Sequence, residues 1–177
     1  MKTAVCFAAP LVVAAVAGAN LAPASPKPAP IATVYVFLAT DCPVASRMVP
    51  QIARLAKAYR KRGVNFVAVY PNETETLAGI KHHAKERGLT GAAPVVLDAN
   101  GRLARTFAAT MTPQAVIVGT KNAVLYRGNV AELAGALNAV AAKKPVPAPK
   151  TAVVGCALRL RVLPIPLTPF QIGRAHV

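Results

Sequence analysis

The chain is short of cysteine, of acidic residues and of long apolar runs, and each shortage removes a class of function. Of its three cysteines, Cys6 lies inside an apolar N-terminal stretch, which leaves Cys42 and Cys156 as the only thiols beyond it. No cysteine or carboxylate stands at a regular ligand spacing beside His82-His83. Adjacent helical side chains point about 100° apart, so these two cannot easily chelate one ion. No metal site and no cofactor site is assigned. Acidic residues number six against 21 lysines and arginines, a net charge of +15. The cations are spread along the sequence, with no basic block interleaved with aromatics and no nucleic-acid motif. That pattern excludes nucleic acid as the expected partner. It describes a solvated basic surface, drawn to anionic partners or envelope surfaces. The apolar run Ala4–Val16 falls short of the roughly 20 residues of a membrane span, and no internal repeat is visible.

What is present begins with a secretory pattern. Lys2 supplies a positive start, Ala4–Val16 an apolar core, and Ala17-Gly18-Ala19 a small-x-small cleavage site before Asn20. Residues 1–19 are therefore expected to be a signal peptide, with an uncleaved anchor as the alternative. The protein is expected in the periplasm or cell envelope, with no stable membrane span after cleavage. Residues 20–30 form a linker: Leu21–Pro30 holds four prolines and three alanines. Export would place Cys42 and Cys156 in an oxidising compartment, where a pair can be a disulfide or a redox couple.

Between these ends the periodicity predicts one α/β domain over 31–142, long enough for a single core. Tyr35–Ala39 reads as a buried strand. Ala45, Met48, Val49, Ile52, Leu55, Ala56 and Tyr59 recur at helical spacing, with a helix expected to about Arg62 and Gly63 just beyond it. Val64–Tyr70 is the next strand. A helix over 75–87, a strand over 94–98 and a short helix over 103–108 follow. A hairpin of 114–118 and 123–127 turns at Gly119-Thr120-Lys121-Asn122, and a last helix spans 130–142.

The chemistry concentrates at Thr40-Asp41-Cys42-Pro43-Val44-Ala45, where the first strand gives way to the first helix. Proline is tolerated at a first helical position, whose N–H has no intrahelical partner. A thiol at a helix N-terminus feels the positive end of the dipole, which favours the thiolate, the nucleophile of disulfide chemistry. The plainer alternative is a buried structural cysteine. Arg47 either favours that thiolate or is a solvated cation on the polar face of the helix.

This placement resembles the thioredoxin superfamily, whose members carry Cys-x-x-Cys at a helix start and a proline eight residues beyond the first cysteine. Cys42 stands first, Ala45 takes the place of the second cysteine, Pro50 lies eight residues on, and Asp41 replaces the usual tryptophan. Thr112-Pro113, opening the strand Gln114–Val118, resembles the family's cis-proline element, which faces the thiol. The long block between Tyr70 and Pro113 resembles the β-α insertion of peroxiredoxins and of exported cytochrome-maturation oxidoreductases. Phe37–Ala45, with Pro145–Pro149 and then Val154-Gly155-Cys156, is similar to exported redoxin-domain proteins of the alkyl hydroperoxide reductase/thiol-specific antioxidant type. The resemblance implies a thioredoxin-like fold, a central mixed sheet flanked by helices. It implies a thiol-disulfide oxidoreductase acting on protein thiols or disulfides, with Cys42 as nucleophile, Thr112 and Pro113 aligning the partner, and Cys156 resolving the mixed disulfide. Some relatives continue into a haem or copper domain, lost here if the frame is truncated. The rival readings are a non-catalytic docking module of a larger redox protein and a divergent peroxidase. For the last, the proline seven residues and the hydroxyl three residues before the reactive cysteine are replaced by Tyr35 and Ala39, leaving Thr40 as the one substitute.

Residues 143–156 form a proline-rich extension, semi-rigid at about 3.1 Å per residue. Nothing in its composition packs it onto the domain, so Cys42 and Cys156 are expected to pair conditionally and to stand apart in a single structure. Residues 157–177 are set aside, because Gln171–Val177 resembles translated sequencing-adapter read-through.

Overall fold

The computed structural model describes residues 29–163. The expected signal peptide, most of the linker and the end of the tail lie outside the described residues. Alternation along the strands builds the domain. In β1 (Ala32–Phe37) Val34 and Val36 face one way, Tyr35 and Phe37 the other. β2 (Val64–Tyr70) divides likewise, with Phe66, Ala68 and Tyr70 opposite Val67 and Val69. So does β5 (Gln114–Gly119), with Ala115 and Ile117 opposite Val116 and Val118. Successive strand side chains point to opposite faces, so a strand apolar on both sides needs cover on both.

With β3 (Val95–Leu97) and β6 (Val124–Asn129) these strands form one five-stranded sheet in the order β3-β2-β1-β5-β6. β1, β2 and β3 run parallel, whereas β5 and β6 are antiparallel to their neighbours. The first face packs against α1 (Pro43–Arg60), α2 (Leu77–Glu86) and α4 (Leu133–Ala141) through Ile52, Ile80, Leu133 and Leu137. The second is covered by α3 (Arg102–Thr106) together with Leu158 and Leu160 of the C-terminal segment. This is the mixed sheet flanked by helices that the resemblance implied.

Boundaries differ in one instructive place. β1 starts three residues earlier than expected and stops at Phe37. Leu38 still donates its N–H to Val69 O at 2.8 Å, but the chain then turns so that Cys42 can cap α1.

The proline-rich extension departs from expectation. It is docked at several points, by hydrogen bonds at Pro149 and Thr151 and by Val146 against the core. Arg127 donates its N–H to Pro149 O (2.8 Å), Thr151 donates to Arg127 O (3.1 Å), and the Thr151 hydroxyl meets the Tyr126 hydroxyl and the Asn129 N–H at 2.9 Å each. Edge strands expose unpaired backbone groups, and β6 is such an edge. Its backbone, with Gly128 leaving room for Thr151, takes up a segment whose composition alone gave no reason to dock. Further on, β7 (Cys156–Ala157) pairs antiparallel with β4 (Met111–Thr112) in a second, two-stranded sheet. Packing continues past Cys156, with Leu158, Arg159 and Arg161 all bonded to the domain.

Candidate functional site

Cys42 is the N-cap of α1, with Pro43 at the first helical position. Its extended backbone (φ −93°, ψ 113°) directs the sulfur back over the helix start, where it accepts from the Ala45 N–H at 3.5 Å. Sulfur here occupies the place usually taken by a Ser, Thr or Asp oxygen, at the positive end of the α1 dipole. Thr112 O lies 3.5 Å from Cys42 Sγ. The bonded sulfur has no hydrogen, so this is a contact in the oxidised chain and a hydrogen bond open to the reduced thiol. The Thr112–Pro113 peptide is cis. Thr112 is fully buried and its hydroxyl has no partner among the described residues.

The structure joins Cys42 to Cys156 in a disulfide, with Cα atoms 6.1 Å apart. The expectation of separated thiols is thereby corrected. The physical reason is the neighbourhood of Cys156, where the segment is held on both flanks. On one, Cys156 pairs with Thr112 and Leu158 donates its N–H to Thr110 O at 2.9 Å. On the other, the Arg159 N–H donates to Asn72 Oδ1 at 2.8 Å, and the Glu73 N–H donates to Arg159 O at 2.9 Å. The Arg159 guanidinium pairs with Asp41, which holds the arginine above its ordinary pKa. Gly155 lets the strand approach: a Cβ there would lie 2.0 Å from Thr112 O and 3.2 Å from Pro113 Cδ. Only glycine fits without displacing the cis-proline loop.

Cys42, Thr112, Pro113 and Cys156 therefore converge in one place. In this state Cys42 is sealed, with 1 % of its surface exposed, whereas Cys156 is half-buried. Arg47 turns away, its Nε donating to Pro43 O at 3.3 Å on the exposed side of the helix.

Three features around the cysteine escaped the sequence. Thr40 donates both its N–H and its hydroxyl to the Glu75 carboxylate, at 2.8 and 3.0 Å, tying the Cys42 turn to the loop before α2. Asn72, Gly155 and Arg159 build the seat of the C-terminal strand; Gly155 stood in the Val154-Gly155-Cys156 signature without a structural role, and no local pattern marks Asn72 or Arg159, because their partners are distant in sequence. His83 is 6 % exposed and lies between two hydroxyls, Ser46 Oγ at 2.9 Å from Nε2 and Tyr70 Oη at 3.0 Å from Nδ1. One ring nitrogen donates and the other accepts, so the neutral ring satisfies both partners. Burial lowers the His83 pKa below 6.5, Arg87 lowers it further and Glu86 opposes them. Burial, then Glu75, raises the Tyr70 hydroxyl well above its usual value. A signal for His83 existed, since it shares a helical face with the buried Ile80 and Ala84. His82 points elsewhere, to Glu86 at 3.3 Å. Among the described residues no group of three His, Cys, Asp or Glu side chains is placed to hold a metal, and no helix is long and apolar enough to cross a membrane.

A cysteine capping the helix after the central strand, opposite a cis-proline that opens an antiparallel strand, defines a thioredoxin-like protein. The family is more specific than the fold. The model for Redoxin matches residues 29–143, and the chain belongs to that family. No curated protein matches it. Among solved structures it resembles an uncharacterized conserved protein from Geobacillus kaustophilus, at 25 % identity and a TM-score of 0.68 over 76 % of this chain and 79 % of that one. A hypothetical protein from Sinorhizobium meliloti is similar, at 23 % identity, a TM-score of 0.67, and 75 % and 81 % coverage. A secreted disulfide oxidoreductase of Mycobacterium tuberculosis shares the fold at 18 % identity, with a TM-score of 0.51 over 61 % of this chain and 81 % of that one.

Proposed function

We propose that the protein is an exported thiol-disulfide oxidoreductase that cycles between the Cys42–Cys156 disulfide and two thiols. The observation that carries this reading is the position of the bond: it joins the helix-capping cysteine to a strand laid across the Thr112-Pro113 loop. In the reduced chain the Cys42 thiolate, supported by the Ala45 N–H and the α1 dipole, attacks a partner disulfide and forms a mixed disulfide. Cys156 then attacks Cys42 Sγ, expels the partner thiolate and restores the internal bond. Thr112 and Pro113 position the partner through the backbone, and the substrate is a protein thiol or disulfide. A cavity of about 580 Å³ lined by Ile31, Val124, Leu125 and Val140 opens at the far end of the sheet and shares no residue with the site. Export follows from the N-terminal secretory pattern, and one of the related structures is described as secreted.

One observation favours a second reading, a fixed staple in a docking module: Cys42 is sealed and the covering strand is bonded on both flanks. Peroxidase activity is less well supported, since the Thr40 hydroxyl is committed to Glu75. The discriminating experiment is reduction of insulin disulfides by the pre-reduced protein, with Cys42→Ser and Cys156→Ser beside it. An oxidoreductase loses all activity with Cys42→Ser and accumulates a long-lived mixed disulfide with Cys156→Ser. Equal mixed-disulfide lifetimes in wild type and Cys156→Ser would remove Cys156 as the resolving thiol. No reduction above the buffer rate by wild type leaves the staple.

A further inference from the structure

The two cysteines of the bond are not equally exposed. Cys42 is 1 % exposed, closed in by the helix start below and the 155–160 strand above, whereas Cys156 keeps part of its surface in solvent. Thiol–disulfide exchange needs the incoming thiolate to approach one sulfur while the other departs, and the choice depends on access and on leaving-group stability. Both criteria select the same sulfur. Attack at Cys156 meets the more exposed residue of the pair, and the departing Cys42 thiolate stays where the Ala45 N–H faces it at 3.5 Å at the positive end of α1. Cys156 follows Gly155 in an extended strand, with no helix start to support a thiolate.

We propose that a reducing thiol attacks this protein at Cys156 and that Cys42 is the leaving group, with Gly155 and Arg159 as positioning residues that enforce the choice. The proposal rests on the oxidoreductase reading and specifies its reducing half. The donor thiolate forms a bond to Cys156 Sγ as the Cys156–Cys42 bond breaks, and the electron pair leaves on Cys42 as thiolate. A second donor thiolate attacks the donor sulfur of that adduct. Cys156 is released as thiolate and the donor departs as a disulfide, oxidised by the two electrons the protein has gained. The donor class is therefore a dithiol, or two equivalents of a monothiol, that can reach an exposed strand edge and need not enter a pocket.

The positioning roles follow from geometry. A side chain at residue 155 collides with Thr112 O, so Gly155→Ala lifts the strand from the cis-proline loop. Arg159 anchors the other flank through Asp41, so Arg159→Glu places like charges there. Arg159 is half-exposed, and its loss leaves the core intact.

The test uses the oxidised full-length chain and 2-mercaptoethanol. The reaction is quenched in acid at early times, capped at low pH with N-ethylmaleimide and mapped by mass. The expected result is mercaptoethanol on Cys156 and maleimide on Cys42, at least tenfold over the reverse pattern. In Gly155→Ala and in Arg159→Glu, whose folds are checked by circular dichroism, the ratio falls to threefold or less. Adduct on Cys42 in wild type, an even split, or a tenfold preference that survives in both variants overturns the proposal. The mapping needs no acceptor substrate. Failure to reduce insulin therefore counts against the proposed function, and a wrong adduct position against this inference.

Discussion

Removing the disulfide is the perturbation whose size can be worked most directly. The bond closes a loop with a sequence separation of 114 residues, and a cross-link stabilises mainly by restricting the unfolded chain. The chain-entropy relation gives about 5 kcal/mol for a loop of that length. The full effect appears only if the C-terminal strand stays seated in the folded, reduced protein; if it frays, the folded state regains freedom too. The contacts favour seating. Hydrogen bonds from Leu158 to Thr110, from Arg159 to Asn72 and from Glu73 to Arg159 contribute about 1 kcal/mol each, and Leu158 and Leu160 pack on the second core face. Cys156→Ser is therefore expected to lower unfolding stability by about 3–5 kcal/mol. At a urea slope of about 1–3 kcal/mol per molar, the midpoint falls by about 1–5 M, and the slope rises because the unlinked denatured chain exposes more surface. Urea titration monitored by circular dichroism, with wild type in dithiothreitol as the matching control, reads both quantities. A loss below about 1 kcal/mol would refute the seating of the strand as an independent structural element.

His83→Ala strands the Ser46 and Tyr70 hydroxyls and opens a cavity; a loss of about 2–4 kcal/mol is expected in the same titration, and a loss under about 0.5 would show the pair to be energetically idle. The pH dependence has a fixed sign. Because folding lowers the His83 pKa, its contribution is complete above the ordinary value of 6.5 and is lost as pH falls through the lower folded value. That slope should be missing from His83→Ala, and identical slopes in the two proteins would contradict the assignment. In Cys156→Ser, the iodoacetamide alkylation midpoint of Cys42 should lie below the roughly 8.5 of a free thiol. The α1 start favours the thiolate, and the charge of Asp41 is offset by Arg159. A midpoint at or above the free value would remove the nucleophile role.

Most of the main sheet was legible because period-two and period-3.6 patterns are local. Val64–Tyr70 was read to the residue, and α1 ends within two residues of its expected limit, its buried positions Ala45, Val49, Ile52, Ala56 and Tyr59 falling on the predicted face. Four candidate residues, Cys42, Thr112, Pro113 and Cys156, were named and meet in space, but their grouping came from family likeness, since 70 residues separate Cys42 from Thr112. β4 and β7 were invisible for a related reason. Each is two residues long, too short for any period, and they exist only because they pair with each other. The packed extension was misjudged because proline content describes a free chain, whereas its docking is decided by the β6 edge and by the Gly128 and Gly155 backbones that admit it. His83 was weighed as a ligand with its neighbour, while its burial beside Ile80 and Ala84 pointed inward.

The disulfide also sorts the chain topologically. Residues 42–156 form a covalent ring that contains β2 to β6 and, among the described residues, all four α-helices, yet β1, the middle strand of the sheet, precedes the ring. A single protease cut anywhere between Pro43 and Gly155 leaves one covalent molecule that separates only after reduction. A cut between Leu38 and Asp41 severs the one covalent tether of the central strand, leaving non-covalent contacts, its hydrogen bonds to β2 and β5 and the apolar packing of Val34, Val36 and Phe37, to keep it in the fold.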